Sequence, residues 1–314
     1  MKKKLLVWLF IVSATTIGFA QQNVQFSQFT LNINAINPAV TGNSEMIQIS
    51  GVHRQQWLNL QRAPQTTFMN VELPFLIQHS KHGVGISFLN ESIGLFTDQS
   101  IWLKYAYHKE ISNNTNLSGG LVFQFKSLGF NAKDADLGTS DYHAANDPSV
   151  PSGTDISDLK TDIGIGALLT NKAYTLGISL QNIVAPTYQL SNAEFNSSRQ
   201  LNLFGIYNIR VINSLYLIKP SVLTKTDFAS WQFEVATIVE YKEKYWGGLG
   251  YRLQDALIFQ VGTQLASGLT IGYAFDLPVS KMLYTSIGTH ELSLSYSFKL
   301  DFAKKQTYKS IRYL

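Results

Sequence analysis

The 314-residue sequence contains no cysteine, which excludes disulfide staples, thiolate metal sites, a cysteine nucleophile and a lipid-bearing cysteine. Charge is scarce as well: 15% of residues are Asp, Glu, Lys or Arg, against 45% hydrophobic and 12% aromatic. That balance excludes intrinsic disorder and allows a large buried or lipid-facing surface. The net charge of +4 is concentrated at the ends. Lys2, Lys3 and Lys4 open the chain, and Lys299, Lys304, Lys305, Lys309 and Arg312 close it with Asp301 alone against them. Residues 21–298 are left with a net charge of −3, so the body offers no support for a nucleic-acid partner.

Long apolar runs are missing too. Lys2 to Lys4, the apolar stretch Leu5 to Val12 and Gly18-Phe19-Ala20 before Gln21 predict a secretory signal peptide over residues 1–20. Its uninterrupted apolar run is too short to cross a hydrocarbon core of roughly 30 Å. No later segment reaches about 18 uninterrupted apolar residues, which excludes a helical membrane protein.

Period-two alternation takes the place of such runs. In Trp231 to Tyr241, the residues Trp231, Phe233, Val235, Thr237, Val239 and Tyr241 share one face, and Gln232, Glu234, Ala236, Ile238 and Glu240 the other. Leu117 to Lys126, Leu269 to Asp276 and Glu291 to Phe298 split the same way. About fourteen such segments begin near residues 46, 66, 82, 99, 116, 162, 173, 199, 214, 231, 244, 256, 269 and 291. An even number with aromatics near strand ends predicts an all-β fold, a transmembrane antiparallel β-barrel of about 14 strands in the outer membrane. A soluble β-sandwich shares the alternation. Charge position argues against it, since Lys104, Lys126, Lys219 and Arg252 all fall on the more polar face, where a lumen holds them. Pro220 is expected at a bulge or a rim, because it removes a ladder hydrogen bond.

Short links at 111–115, 171–172, 211–213, 242–243 and 267–268 alternate with longer ones at 127–160, 182–198, 225–230 and 277–290, the loop after Tyr251 being short on the long side. Short periplasmic turns and long exterior loops are the rule for such barrels, which places both termini in the periplasm. The expected organisation is a signal peptide (1–20), a periplasmic or lumen-packed segment (21–45), the barrel (46–298) and a basic periplasmic tail (299–314).

The segment Gln25 to Gly42, QFSQFTLNINAINPAVTG, resembles the opening of the PorP/SprF family of type IX secretion outer-membrane proteins of Bacteroidetes. The resemblance continues through Arg54-Gln55-Gln56-Trp57 and Ala63-Pro64-Gln65-Thr66 to Gly288-Thr289-His290-Glu291. It implies a non-catalytic barrel that supports export, attachment or anchoring of a large surface protein such as a gliding adhesin. It also implies periplasmic type IX components and outer-membrane lipid as partners. Members similar to SprF serve particular adhesins, and those similar to PorP join the core machinery.

Chemistry of other kinds finds little purchase. The six histidines, at 53, 79, 82, 108, 143 and 290, sit in no nucleophile motif, and Gly-x-Ser-x-Gly is absent. His79 and His82 read as a polar turn without a third metal ligand. No catalytic residue, metal or cofactor is expected. The candidate partner-binding residues are the acidic loop residues Asp134, Asp136, Asp141, Asp147, Asp155 and Asp158, together with Lys304, Lys305, Lys309 and Arg312 of the tail. Calcium binding by that loop has no regular ligand spacing behind it. The rival function is a solute channel whose lumen is lined by Glu72, Lys104, Lys126, Glu234, Glu240 and Arg252.

Overall fold

A computed structural model describes residues 24–131, 155–211 and 215–299. The first strands are β1 (Ile47–Gln55), β2 (Gln65–Ile77), β3 (Ser80–Ile93), β4 (Phe96–Ser112), β5 (Thr115–Phe130), β6 (Ile156–Asn171) and β7 (Tyr174–Gln181). A small hairpin follows, β8 (Thr187–Leu190) with β9 (Ala193–Asn196). The wall resumes with β10 (Gln200–Tyr207), β11 (Ile209–Val211), β12 (Tyr216–Thr226), β13 (Trp231–Tyr241) and β14 (Tyr245–Arg252). It ends with β15 (Ala256–Gln264), β16 (Leu269–Pro278) and β17 (Thr289–Phe298).

Every pairing in the wall is antiparallel between chain neighbours, and the sheet closes because β1 pairs with β17 from Ile47–Phe298 to Gln55–His290. β10 and β11 form one interrupted stave that pairs with β12, so the wall is a closed 14-strand barrel. The expected strand starts hold closely, the largest discrepancy being β6, which begins at Ile156. The alternation sorts side chains as a barrel in lipid requires. On β4, Ile101, Leu103, Tyr105 and Tyr107 are exposed on the outside, while Ser100, Trp102, Lys104, Ala106 and His108 are buried on the inside. Among the described residues, no helix is long and apolar enough to cross a membrane.

Pro220 differs from expectation. The register of β12 shows no bulge there. Instead Pro220 falls in the gap between the β10–β12 ladder, which ends at Ile206–Ser221, and the β11–β12 ladder, which starts at Ile209–Ile218. A residue without an N–H therefore sits where the neighbouring stave is interrupted.

The turns β2–β3, β4–β5, β6–β7 and β13–β14 are short and lie at the rim where β1 begins and β17 ends. The opposite rim carries the longer connections, including the β8–β9 hairpin. Two of its links are short, the β3–β4 turn at Gly94-Leu95 and the loop after Arg252. At the short-turn rim outward aromatics cluster: His82 stacks on Phe75 at 5.5 Å and hydrogen-bonds the Tyr105 hydroxyl at 2.7 Å, and Tyr216 meets Tyr241 at 5.0 Å. Amphipathic rings suit the headgroup level.

Candidate functional site

The barrel encloses its own N-terminal segment. Residues 24–43 form a turn at 27–31 and two short 3₁₀ turns, Ile33–Ala35 and Pro38–Val40, within the lumen. Phe26, Phe29, Ile36 and Ala39 are buried against inward-facing wall residues. Phe26 packs on Phe68 at 5.9 Å, and Phe68 on Trp102 at 5.5 Å, in the tilted arrangement aromatic pairs favour.

Polar contacts fasten the segment at both ends. Glu291 on β17 accepts hydrogen bonds from the Ser27 N–H at 2.7 Å and the Gln28 N–H at 2.9 Å. Glu72 on β2 accepts from the Gly42 N–H at 3.1 Å. Between them Asn37 works as a clip: its side chain donates to the Ala167 carbonyl at 2.9 Å and the Ile178 carbonyl at 3.2 Å. Its amide oxygen accepts from Ala39 N–H at 2.9 Å, capping the second 3₁₀ turn. Gln181 donates to the Ile36 carbonyl at 2.9 Å, and His108 contacts the Thr41 carbonyl at 2.9 Å.

Glycines on the wall make room for these approaches. A Cβ at Gly120 would lie 2.3 Å from the Ala39 nitrogen, and one at Gly166 would lie 2.1 Å from Asn37 Oδ1. Either is an overlap that no rotamer change in the added atom relieves.

Charges that no lipid-facing position tolerates are gathered beside the segment. Arg54 Nη1 lies 3.2 Å from Glu291, and Arg54 Nη2 lies 2.9 Å from Asp276. Arg252 lies 3.1 Å from Asp276 and 2.8 Å from Glu234, and also reaches Asp255 at 3.1 Å. Lys225 donates to the Val24 carbonyl at 3.0 Å on the same side. A smaller group joins Lys104 to Asn70 at 2.5 Å, to Glu72 at 3.5 Å and to the Asn34 carbonyl at 3.3 Å. Such pairs are retained at a desolvation cost and are strongly destabilising to break one-sidedly.

The candidate lumen residues Glu72, Lys104, Lys126, Glu234 and Arg252 are buried on the inner face. Glu240 faces inward as well and holds Lys219 at 2.5 Å. Glu72 pairs with Lys104 and Glu234 with Arg252 around the inserted segment, while Lys126 is held by Asn182 at 3.4 Å. Of the acidic loop, Asp134, Asp136, Asp141 and Asp147 lie outside the described residues, as do Lys304, Lys305, Lys309 and Arg312. Asp155 is exposed just before β6. Asp158 lies on β6 itself, because the strands extend past the expected loop boundary; it accepts from the Gln189 N–H at 2.8 Å and pairs with Lys160 at 3.1 Å. Arg54, Asp276 and Glu291 were not among the expected site residues. The available signal was opposite charges in Arg54-Gln55-Gln56-Trp57 and Gly288-Thr289-His290-Glu291, both on inward positions of neighbouring staves.

Three of the motif segments thus converge on one interior cluster: Ser27 and Gln28, Arg54, and Glu291. A family model described as type IX secretion system membrane protein PorP/SprF matches residues 18–296. The chain belongs to the PorP/SprF family. It is a type IX secretion barrel of the outer membrane. Family and fold point to a structural component of a secretion system and not to an enzyme. Among solved structures, a Pseudomonas aeruginosa FadL homologue is similar at 12% identity and TM-score 0.45, covering 84% of this chain and 93% of its own. The Acinetobacter baumannii outer-membrane protein Omp33 is similar at 8% identity and TM-score 0.48, covering 82% and 100%. No curated protein matches the chain.

Proposed function

We propose that this PorP/SprF barrel acts by binding: it supports export, attachment or anchoring of a large cell-surface protein, such as a gliding adhesin, and links it to periplasmic type IX components. The long-loop rim faces the exported partner, with Asp134, Asp136, Asp141, Asp147, Asp155 and Asp158 as candidate contacts. The short-turn rim faces the periplasm, where Lys304, Lys305, Lys309 and Arg312 meet machinery or anionic headgroups. The observation that carries this reading is the lumen filled by residues 24–43 and fastened by Glu291 and Glu72. A closed interior suits a scaffold more than a conduit.

Comparative proteomics of the cell surface and culture medium in wild-type and deletion strains tests it. Loss or mislocalisation of one large exported protein marks a dedicated partner barrel, and loss of many marks a core component. Retention of every exported protein overturns the reading. Steady single-channel conductance of the purified wild-type barrel would then bring the solute-channel alternative forward.

A further inference from the structure

Between the inserted segment and the long-loop rim lies a cavity of about 400 Å³, floored by Val24, Ala35 and Ile36. Its lining shares no residue with the ion cluster that holds Ser27 and Gln28. Four aromatic side chains line it, Phe96, Trp102, Tyr188 and Phe195. Two of them hold the hairpin to the wall, with the Phe96 and Phe195 rings 5.2 Å apart edge to face.

The polar lining carries excess negative charge. Glu91 and Asp98 are directly paired residues on β3 and β4, and both reach the cavity. Paired positions place Cβ atoms about 5 Å apart. Lys126 is the cation lining the same space, and its side chain is hydrogen-bonded to Asn182 at 3.4 Å. Among the described lining residues the acids thus outnumber the bases by one, and Glu91 Oε1 accepts from the Thr66 hydroxyl at 3.2 Å. Gln124 is 1% exposed, lines the cavity and has neither amide atom hydrogen-bonded; the Tyr188 hydroxyl and Asp98 Oδ1 are also without a hydrogen bond. Buried polar atoms in native proteins are nearly always paired, so several around one cavity mark a place built for a polar visitor.

We propose that this vestibule binds a cationic group on an apolar stem, an alkylammonium or guanidinium. The aromatic faces attract a cation and pack its stem, Glu91 and Asp98 supply charge-assisted acceptors, and Gln124 offers both a donor and an acceptor. A neutral molecule would leave the surplus acid without a cation. A cation too small to carry a stem would leave the aromatic walls unused. The proposal concerns ligand chemistry alone and stands whichever exported protein the barrel serves.

The test is calorimetric titration of the full-length barrel in detergent with N-acetylarginine amide and with its neutral isostere N-acetylcitrulline amide. The arginine compound should bind saturably and the citrulline compound about tenfold more weakly or worse, as the loss of one charge-assisted contact implies. The double variant E91Q/D98N, checked for folding by heat-modifiable gel mobility, should weaken arginine binding by a similar factor. K126Q should strengthen it by removing the competing cation, an effect that misfolding cannot imitate. A heptapeptide with one central arginine distinguishes the source: tighter binding than the amide marks a peptide-borne side chain, and equal or weaker binding marks a free small cation. Equal binding of arginine and citrulline amides, no binding of either, or unchanged affinity in E91Q/D98N overturns the proposal.

Discussion

Arg54 and Glu291 are directly paired across the seam where the first and last strands meet, with guanidinium and carboxylate 3.2 Å apart. Glu291 holds the N–H groups of Ser27 and Gln28 with the same carboxylate. The pair that sits at the closing seam is thus also the anchor of the inserted segment.

Removing one partner leaves a buried charge unanswered. R54M should destabilise the barrel by about 3–5 kcal/mol, whereas R54M/E291M should cost less than the sum of its single changes. Urea unfolding followed by tryptophan fluorescence measures both. Additive losses would deny the coupling.

The seat of the segment can be disturbed from the wall. G120V puts its Cβ 2.3 Å from the Ala39 nitrogen, so it should expel residues 24–43 while the β-sheet forms. Limited proteolysis should then cut near Asn37, and single-channel recordings should show a conductance greater than that of the wild-type barrel. A protected segment in folded G120V would contradict this account.

On the outer face, Leu121 is 56% exposed on β5 within the apolar band. L121K should destabilise insertion by about 2–4 kcal/mol. Q99K, outward on β4 beyond that band, should cost no more than about 1 kcal/mol. Parallel folding titrations into lipid vesicles compare them.

The turn at residues 227–230 has a pH signature. Burial pushes the Asp227 carboxyl up, but hydrogen bonds from the Ser230 N–H at 2.6 Å, the Ser230 hydroxyl at 2.9 Å and the Ala229 N–H at 3.0 Å outweigh it and hold the group below its ordinary value. A depressed folded value contributes stability that is complete above the usual carboxylate range near pH 4 and fades as pH falls through the depressed value. Corrected for intrinsic rate, hydrogen exchange at Ser230 should stay protected from neutral pH to about pH 5 and lose protection in stronger acid. D227N should remove that dependence.

The strands were legible because a two-residue period is imposed by lipid on one side and a filled interior on the other. β13 reads as a barrel strand from eleven residues alone. β6 begins earlier than its alternation shows, since Ile156 to Lys160 stand above the apolar band, where exposure on both faces blurs the pattern. The ion cluster was not legible. Arg54 is separated by more than two hundred residues from Asp276 and Glu291, and only the closure of the sheet makes it their neighbour. Asn37 likewise looks like an ordinary residue before proline; its role as a clip depends on Ala167 and Ile178, two strands of the wall.

The bond between Ser27 and Glu291 spans 264 positions of the chain. Ser27 leaves the ribosome long before β17 and is therefore among the last residues to find its place, because its anchor belongs to that strand. Until the barrel closes, the stretch around Ser27 has no lumen in which to bury Phe26 and Phe29. Assembly has a built-in order: a wall finished around an absent occupant leaves Glu291 with Arg54 but without the N–H groups of Ser27 and Gln28, and the occupant cannot settle before the wall exists.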